Sequence, residues 1–96
     1  MKFVLLGHLT EQGIKNLKMA EQREKKANEI LDKLGCKLLN MYYTMGRYDW
    51  VAIAEGPDIQ TAMKALFMFG ISGTDRTETL VAITVEEARK LIEEIP

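Results

Sequence analysis

Strand-like and helix-like segments alternate along this chain, and their order restricts the fold more than any other feature. Short apolar runs that suit β-strands occupy residues 3–9, 36–44, 48–55 and 76–83. Apolar side chains at helical spacing fill residues 21–34, residues 58–70 and the segment after residue 84. The predicted order is therefore strand, helix, strand, strand, helix, strand and a final helix.

Capping residues support the predicted helix boundaries. Gly35 follows the first long helical pattern, where glycine commonly ends a helix in the left-handed conformation. Asp58 is a favourable N-cap for the second helix, and Thr84 with Glu87 forms the capping box of the last one. The stretch before the first helix, residues 10–20, contains both apolar residues at helical spacing and a glycine, so its structure stays open.

This order of elements predicts an α+β fold of the ferredoxin-like type, βαββαβ with an extra C-terminal helix. Right-handed crossovers place the four strands in the order 4-1-3-2, with every neighbouring pair antiparallel and two helices on one face. The chain has 96 residues, which is the size of one domain, so residues 1–96 are predicted to form a single domain.

Both faces of the predicted sheet are apolar. Residues of either parity are apolar in segments 3–6, 50–54 and 80–83, whereas a sheet with one solvated face alternates apolar and polar residues. The simplest cover for the second face is the same face of another subunit. The alternative cover is the C-terminal helix, but one short helix is too small for four strands. We therefore expect a homodimer or a dimer-based higher oligomer.

The orientation of the third strand follows from its composition. Val51 and Ile53 are predicted to face the helices. Tyr48, Trp50 and Ala52 would then face the partner sheet.

The composition excludes several classes of function. Thirteen basic against fourteen acidic residues leave a net charge of −1, which argues against a nucleic-acid-binding surface. One cysteine, Cys36, and one histidine, His8, cannot form an internal disulfide or a Cys/His zinc site, and the sequence predicts neither metal nor cofactor. No apolar stretch approaches the roughly 20 residues of a spanning helix and no signal peptide is visible, so we expect a cytoplasmic protein without membrane contact.

Polar residues from four separate segments are predicted to meet at one end of the sheet. The first two strands end there, and the last two begin there, because the topology makes these pairs run in opposite directions. The ligand-binding candidates at this end are His8, Thr10, Tyr48, Asp49, Arg76 and Glu78.

Structural roles compete with ligand binding for several of these residues. Asp49 is more often found accepting hydrogen bonds from turn amides or pairing with an arginine such as Arg76. His8 ends an apolar strand, where histidine more often packs or forms hydrogen bonds than acts as a base. The aromatic residues near this end, including Tyr48 and Trp50, are more often packing residues than a substrate cage.

Three segments resemble the GYD domain family, in the same order and at the same spacing. They are LTEQGIKN at 9–16, TMGRYDWVAI at 44–53 and RTETLVA at 76–82, and together the resemblance covers nearly the whole chain. The resemblance implies a fold similar to the dimeric α/β-barrel superfamily, which includes ligand-sensing domains and small cofactor-independent monooxygenases. The chain departs from the family pattern at residues 17–22, which contain no Gly or Pro, so the first long helix could continue through them.

Three hypotheses of function follow. The favoured one is a module that binds or senses a small molecule at the sheet end or at the dimer interface, because apolar walls with a few convergent polar groups are typical of ligand sites. The alternative is a cofactor-independent enzyme acting on a small aromatic or carbonyl compound, with His8 as base and Arg76 stabilising an oxyanion. A single-stranded RNA binder is disfavoured by the acidic isoelectric point.

Overall fold

The strands and long helices expected from the sequence are all present in the structure, a computed structural model that describes residues 1–96. The strands are β1 (Lys2–Leu9), β2 (Lys37–Tyr43), β3 (Trp50–Glu55) and β4 (Asp75–Ala82). The helices are α1 (Glu11–Lys15), α2 (Ala20–Lys33), α3 (Ile59–Ser72) and α4 (Val85–Glu93), with a 3₁₀ turn at Leu17–Met19 between α1 and α2.

The predicted caps hold the ends of the helices. The Asp58 carboxylate accepts a hydrogen bond of 2.7 Å from the Thr61 amide at the start of α3. Thr84 Oγ1 accepts one of 3.1 Å from the Glu87 amide at the start of α4. Gly35 follows α2 with a positive φ of 73°. Helix α3 continues past the predicted end at residue 70 and is capped by Gly73, whose φ is 74°.

The segment left open by the sequence contains a real break. Helix α1 ends at Lys15, and the side chain of its C-cap, Asn16, donates a hydrogen bond of 2.9 Å to the Gln12 carbonyl. Arg23 Nη1 donates a hydrogen bond of 2.7 Å to the Asn16 carbonyl from within α2. The break is therefore stabilised by side-chain bonds to the backbone, without the glycine or proline that usually marks one.

The sheet confirms the predicted topology. Its strand order is β2-β3-β1-β4, which is the order 4-1-3-2 seen from the other edge, and each neighbouring pair is antiparallel. Strand β1 is central: Leu6 lies opposite Val51 of β3 on one side and opposite Glu78 of β4 on the other. The architecture is the α+β, ferredoxin-like fold.

The buried core is small and lies between the sheet and the helices α2 and α3. Its apolar members are Phe3, Leu31, Cys36, Ala52, Ala54 and Ala65. Burial and, to a smaller extent, the Asp58 carboxylate raise the pKa of the Cys36 thiol, so this side chain behaves as a small apolar group.

The predicted orientation of β3 is wrong. Trp50 lies over Gly7 on the helix side of the sheet, and Ala52 on the same side is only 3% exposed. Val51 and Ile53 lie on the other face, where Ile53 is 38% exposed. The error has a physical reason, because valine and isoleucine suit any covered sheet face, whereas small alanines allow helices to approach closely.

The face away from α2 and α3 is open in the isolated chain, and we call it the open face. The ladder places on it the apolar residues Val4, Leu6, Tyr42, Val51, Ile53 and Leu80. Helix α4 does not cover it with its own apolar stripe, because Val85, Leu91 and Ile92 of that stripe are themselves exposed. A membrane crossing would need a longer and more apolar helix than any in this structure.

Candidate functional site

The six predicted ligand-binding residues are all located around the same end of the sheet. They are divided between the open face and the side covered by helices. The end is formed by the last residues of β1 and β2 and the first residues of β3 and β4. His8 lies opposite Arg76 in the ladder between β1 and β4. The hydrogen bonds of each residue, described next, show which of the six contact one another.

His8, Tyr48 and Glu78 form one contact group at this end. The rings of His8 and Tyr48 are tilted by 41° with their centroids 5.0 Å apart. The Tyr48 hydroxyl donates a hydrogen bond of 2.6 Å to a Glu78 carboxylate oxygen, and this bond is the main reason that the pKa of Tyr48 is raised. The Arg47 guanidinium lies 5.7 Å from the centre of the Tyr48 ring. Because Glu78 is opposite Leu6 in the ladder, the group lies on the open face.

Asp49 binds backbone rather than the other candidates. Its Oδ2 accepts a hydrogen bond of 2.8 Å from the Leu9 amide. Its own amide donates to the Gly7 carbonyl and its carbonyl accepts from the Thr44 amide, each at 2.8 Å. No ion pair joins Asp49 to Arg76. Asp49 therefore fastens the end of β1 to the hairpin, which is a structural role.

Thr10 connects two loops on the helix side. Its hydroxyl accepts a hydrogen bond of 3.1 Å from the Gly13 amide, which makes it the N-cap of α1, and donates one of 2.6 Å to the Gly73 carbonyl. The Thr10 amide also donates to the Thr74 carbonyl at 3.0 Å. These bonds join the end of β1 to the loop between α3 and β4.

A cavity of about 990 Å³ lies between the sheet and the helices α2 and α3. Its walls are mainly apolar and include Leu5, Met41, Trp50, Ala52, Leu66 and Phe69. Thr10 and Arg76 border it, whereas His8, Tyr48, Asp49 and Glu78 do not. Phe67 and Ile71 of α3 also border it and are largely exposed, so they mark its mouth.

The polar end of the cavity is built around Asp75, which the sequence analysis did not identify. Trp50 Nε1 donates a hydrogen bond of 2.9 Å to Asp75 Oδ1, and Thr74 Oγ1 donates one of 2.8 Å to Asp75 Oδ2. Ser72 Oγ lies 3.3 Å from Thr74 Oγ1 and extends the network. The available signal was the indole N–H, since a half-buried tryptophan needs an acceptor.

A second polar pair borders the cavity on the side of α2. The Tyr43 hydroxyl donates a short hydrogen bond to the Glu24 carboxylate. Partial burial of a side chain that is still 56% exposed, followed by this bond, raises the pKa of Tyr43 to about 12. Tyr43 therefore remains a neutral donor at physiological pH. No group of three His, Cys, Asp or Glu side chains is arranged to hold a metal ion.

Comparison with known proteins identifies a family and a relative. The family model for the GYD domain matches residues 3–92. A protein of Thermus thermophilus named "glutamine synthetase and cystathionine beta-lyase binding protein" is 31% identical over 86 residues, which cover 88% of this chain and 90% of that protein.

Proposed function

The chain belongs to the GYD domain family, and we propose that it is a homo-oligomeric domain that binds a small, largely apolar molecule in the cavity between its sheet and its helices. The observation that carries the proposal is the cavity itself, with apolar walls and one hydrogen-bonding end. Pockets for small ligands have typical volumes of roughly 300 to 1,000 Å³ and a few precisely placed polar groups. The cavity of about 990 Å³ fits that description.

The polar groups indicate how such a ligand would be oriented. Asp75 is an acceptor held in place by Trp50 and Thr74, and each carboxylate oxygen has lone-pair capacity beyond the one bond that it accepts. A ligand with a hydrogen-bond donor at one end would satisfy that capacity, while its apolar body contacts Leu5 and Ala52. Thr10, which borders the cavity, is the sequence candidate that we place in contact with the ligand. Arg76 also borders the cavity, but its position opposite His8 puts its side chain on the open face.

The open face supports the proposed homodimer. Ile53 and Leu80 on this face are 38% and 48% exposed, and Val4 lies between them in the ladder. Leu6 and Val51 form the neighbouring row on the same face. Contiguous apolar area of this kind marks an interaction surface. In the proposed dimer the His8, Tyr48 and Glu78 group borders the interface between two sheets.

Binding of protein partners is the second candidate function. The name of the Thermus thermophilus relative describes a protein that binds two enzymes. Exposed apolar side chains on α3 and α4 offer surface for such contacts. By contrast, the alternative of an enzyme with His8 as base has no support from the cavity, because His8 does not border it.

The sole tryptophan makes the ligand proposal directly testable. Trp50 is the only Trp in the chain and lines the cavity, so a ligand bound there should change the intensity or wavelength of its emission. We would titrate the protein with a panel of small aromatic and aliphatic amines, alcohols and acids. Native mass spectrometry of protein purified without denaturation would search for a ligand retained from the cell.

Matched variants distinguish binding in the cavity from binding elsewhere. Ala52→Leu places a larger side chain in the cavity and should abolish the fluorescence response. Because Ala52 also belongs to the buried core, we expect a cost of about 1 to 3 kcal/mol in the free energy of unfolding, and circular dichroism would check that the variant is folded during the titration. Ala82→Leu makes the same change at the far end of β4 and should leave the response unchanged. A response that survives Ala52→Leu, or the absence of any response or retained ligand across the panel, would refute the proposal.

A further inference from the structure

Helix α4 is well formed but has no apolar partner in its own chain. Its capping box is complete, with the Glu87 amide bonded to Thr84 Oγ1. Yet Leu91 is 55% exposed and Ile92 is 62% exposed, and Val85 and Ile95 on the same side are exposed as well. An isolated helix shorter than about 12 residues is marginal in water. A helix of 9 residues with this stripe therefore needs a surface that the isolated chain does not provide.

Helix α3 also has an apolar side that nothing in its own chain covers. Lys64 is its only charged residue among 14. Residues spaced by four form a stripe along the exposed side: Ile59, Met63, Phe67 and Ile71. Phe67 is 66% exposed and Ile71 is 86% exposed. A helix that is apolar nearly all round is normally buried on both sides, so this stripe also lacks its cover.

The apolar stripe of α4 is shorter than that of α3 and fits within it. Twelve residue steps separate Ile59 from Ile71, which corresponds to about 18 Å along a helix at 1.5 Å per residue, whereas seven steps, or about 10 Å, separate Val85 from Ile92 within α4. The spacing of four residues along α3 and of three and four along α4 allows the ridges of one helix to pack into the grooves of the other.

The charges beside the stripes are complementary. Glu87 borders the stripe of α4 at its start and Glu94 borders it at its end, because the two residues are seven positions apart on one side of the helix. Lys64 lies beside the stripe of α3, and Lys26 of α2 borders the cavity mouth. Arg89 borders the opposite edge of the α4 stripe, so only the edge with Glu87 and Glu94 is acidic. With that edge turned toward Lys64, the charges favour this pairing over contact between two α3 helices, whose Lys64 side chains repel each other.

From these features we infer that α4 of one copy docks on the outward stripe of α3 in a second copy and covers the mouth of the cavity. Phe67 and Ile71, which mark that mouth, become buried, so the partner copy completes the wall of the site. Each copy donates one α4 and receives one, which leaves neither stripe exposed. The contact is separate from the open face, so the two contacts together build an oligomer larger than a dimer. It does not depend on a bound ligand.

Cysteine pairing between copies tests this arrangement. Phe67→Cys and Leu91→Cys are co-expressed as separate chains, one of them carrying a mass tag, and oxidised mildly. The native Cys36 is buried, so wild-type protein should form no disulfide. We expect a mixed disulfide between the two variants, since each carries only one new cysteine and the other thiol in each chain, Cys36, is buried. The control is Ile14→Cys, an exposed apolar position on a different helix, α1. Co-expressed with Leu91→Cys in place of Phe67→Cys, it should form far less mixed disulfide.

A second measurement reports the strength of the contact. Ile92→Asp places a charge in the stripe of α4. It should raise the protein concentration needed for assembly by roughly tenfold or more, measured by light scattering. Lys90→Asp introduces the same side chain on the polar side of the helix and should have little effect. Three results would each overturn the inference. The mixed disulfide could be no more abundant than with Ile14→Cys, or Phe67→Cys could pair only with itself. The third is a mass of Ile92→Asp that equals that of the wild type. The fluorescence titration with ligands does not report on this contact, so the two proposals fail separately.

Discussion

The indole ring of Trp50 lies directly across Gly7 of the neighbouring strand. A Cβ atom at Gly7 would be only 2.0 Å from the ring, and the ladder places these two residues opposite each other. The absence of a side chain at Gly7 therefore sets the position from which the indole N–H reaches Asp75. One glycine in β1 thus determines the shape of the polar end of the cavity.

Gly7→Ala should displace the indole ring and destabilise the protein. Overpacking of this kind typically costs about 1 to 3 kcal/mol in the free energy of unfolding. Denaturant unfolding followed by Trp50 fluorescence would measure the change. Gly70→Ala is the control: no atom lies within 4 Å of a Cβ built there, so removing a helical glycine should leave stability equal or slightly increased. Equal stability of Gly7→Ala and wild type would show that the ring moves without cost.

Asp75→Asn should loosen the polar end of the cavity. The asparagine has one acceptor oxygen in place of two, so either Trp50 or Thr74 loses its bond. We expect a loss of about 1 to 3 kcal/mol in the free energy of unfolding, together with a shift in Trp50 emission. Asp32→Asn on the exposed side of α2 should change neither quantity, and emission unchanged by Asp75→Asn would contradict the hydrogen-bond assignment.

Tyr43 should make stability depend on alkaline pH. Its pKa is raised from 10.0 to about 12 in the folded protein, so the fold favours the neutral hydroxyl. The resulting stabilisation is complete below the unfolded value of 10.0 and is lost as the pH rises toward about 12. Melting temperatures of wild type and Tyr43→Phe should therefore converge or cross in this range. Tyrosinate absorbance should show that Glu24→Gln lowers the pKa of Tyr43, and parallel pH profiles of wild type and Tyr43→Phe would refute this.

Ile53→Glu should disrupt the proposed homodimer without unfolding the chain. The side chain is 38% exposed in the isolated chain, so a glutamate there remains solvated until a second sheet covers it. The dissociation constant should rise roughly tenfold or more, measured by light scattering against the monomer mass of 10.9 kDa. Ile14→Glu, an exposed apolar position on α1, should leave the mass unchanged. A wild-type mass of 10.9 kDa at micromolar concentration would by itself refute the dimer.

The topology was predictable because it depends on features that a sequence carries locally. Apolar periodicity separates helices from strands, and Asp58 and Thr84 mark helix starts through bonds to amides three residues ahead. Right-handed crossover then leaves one sheet order. The break at Asn16 was not predictable in this way. It depends on a hydrogen bond from Arg23, which forms only when α2 is placed so that Arg23 reaches the Asn16 carbonyl.

The side of the sheet that each β3 residue faces was not determined by composition. Trp50 and Val51 are both apolar, and both suit a covered surface. The deciding feature was Gly7, which lies far away in the sequence and gives the indole ring its space. Pairing between distant residues of this kind is set by register, which local patterns do not contain.

The candidate site was predictable as a location but not as a set of contacts. Topology brings His8, Tyr48 and Glu78 together, and the structure joins them through ring contact and a hydrogen bond. Topology alone does not reveal that the Asp49 carboxylate accepts a hydrogen bond from the Leu9 amide. Asp75 escaped the sequence analysis because nothing nearby in the chain identifies its partner, Trp50, which is 25 positions away.

The lone buried thiol of Cys36 has a consequence for the dynamics of the domain. It lies among Leu31 of α2 and Ala65 of α3, with its sulfur next to Gly56, so a labelling reagent cannot reach it in the closed state. When reclosing is slow relative to labelling, the rate of its modification equals the rate at which the helices separate from the sheet. When reclosing is fast, the rate is proportional to the fraction of molecules in the separated state. A single unmodified chain thus carries an internal kinetic probe of the same interlayer space that forms the cavity.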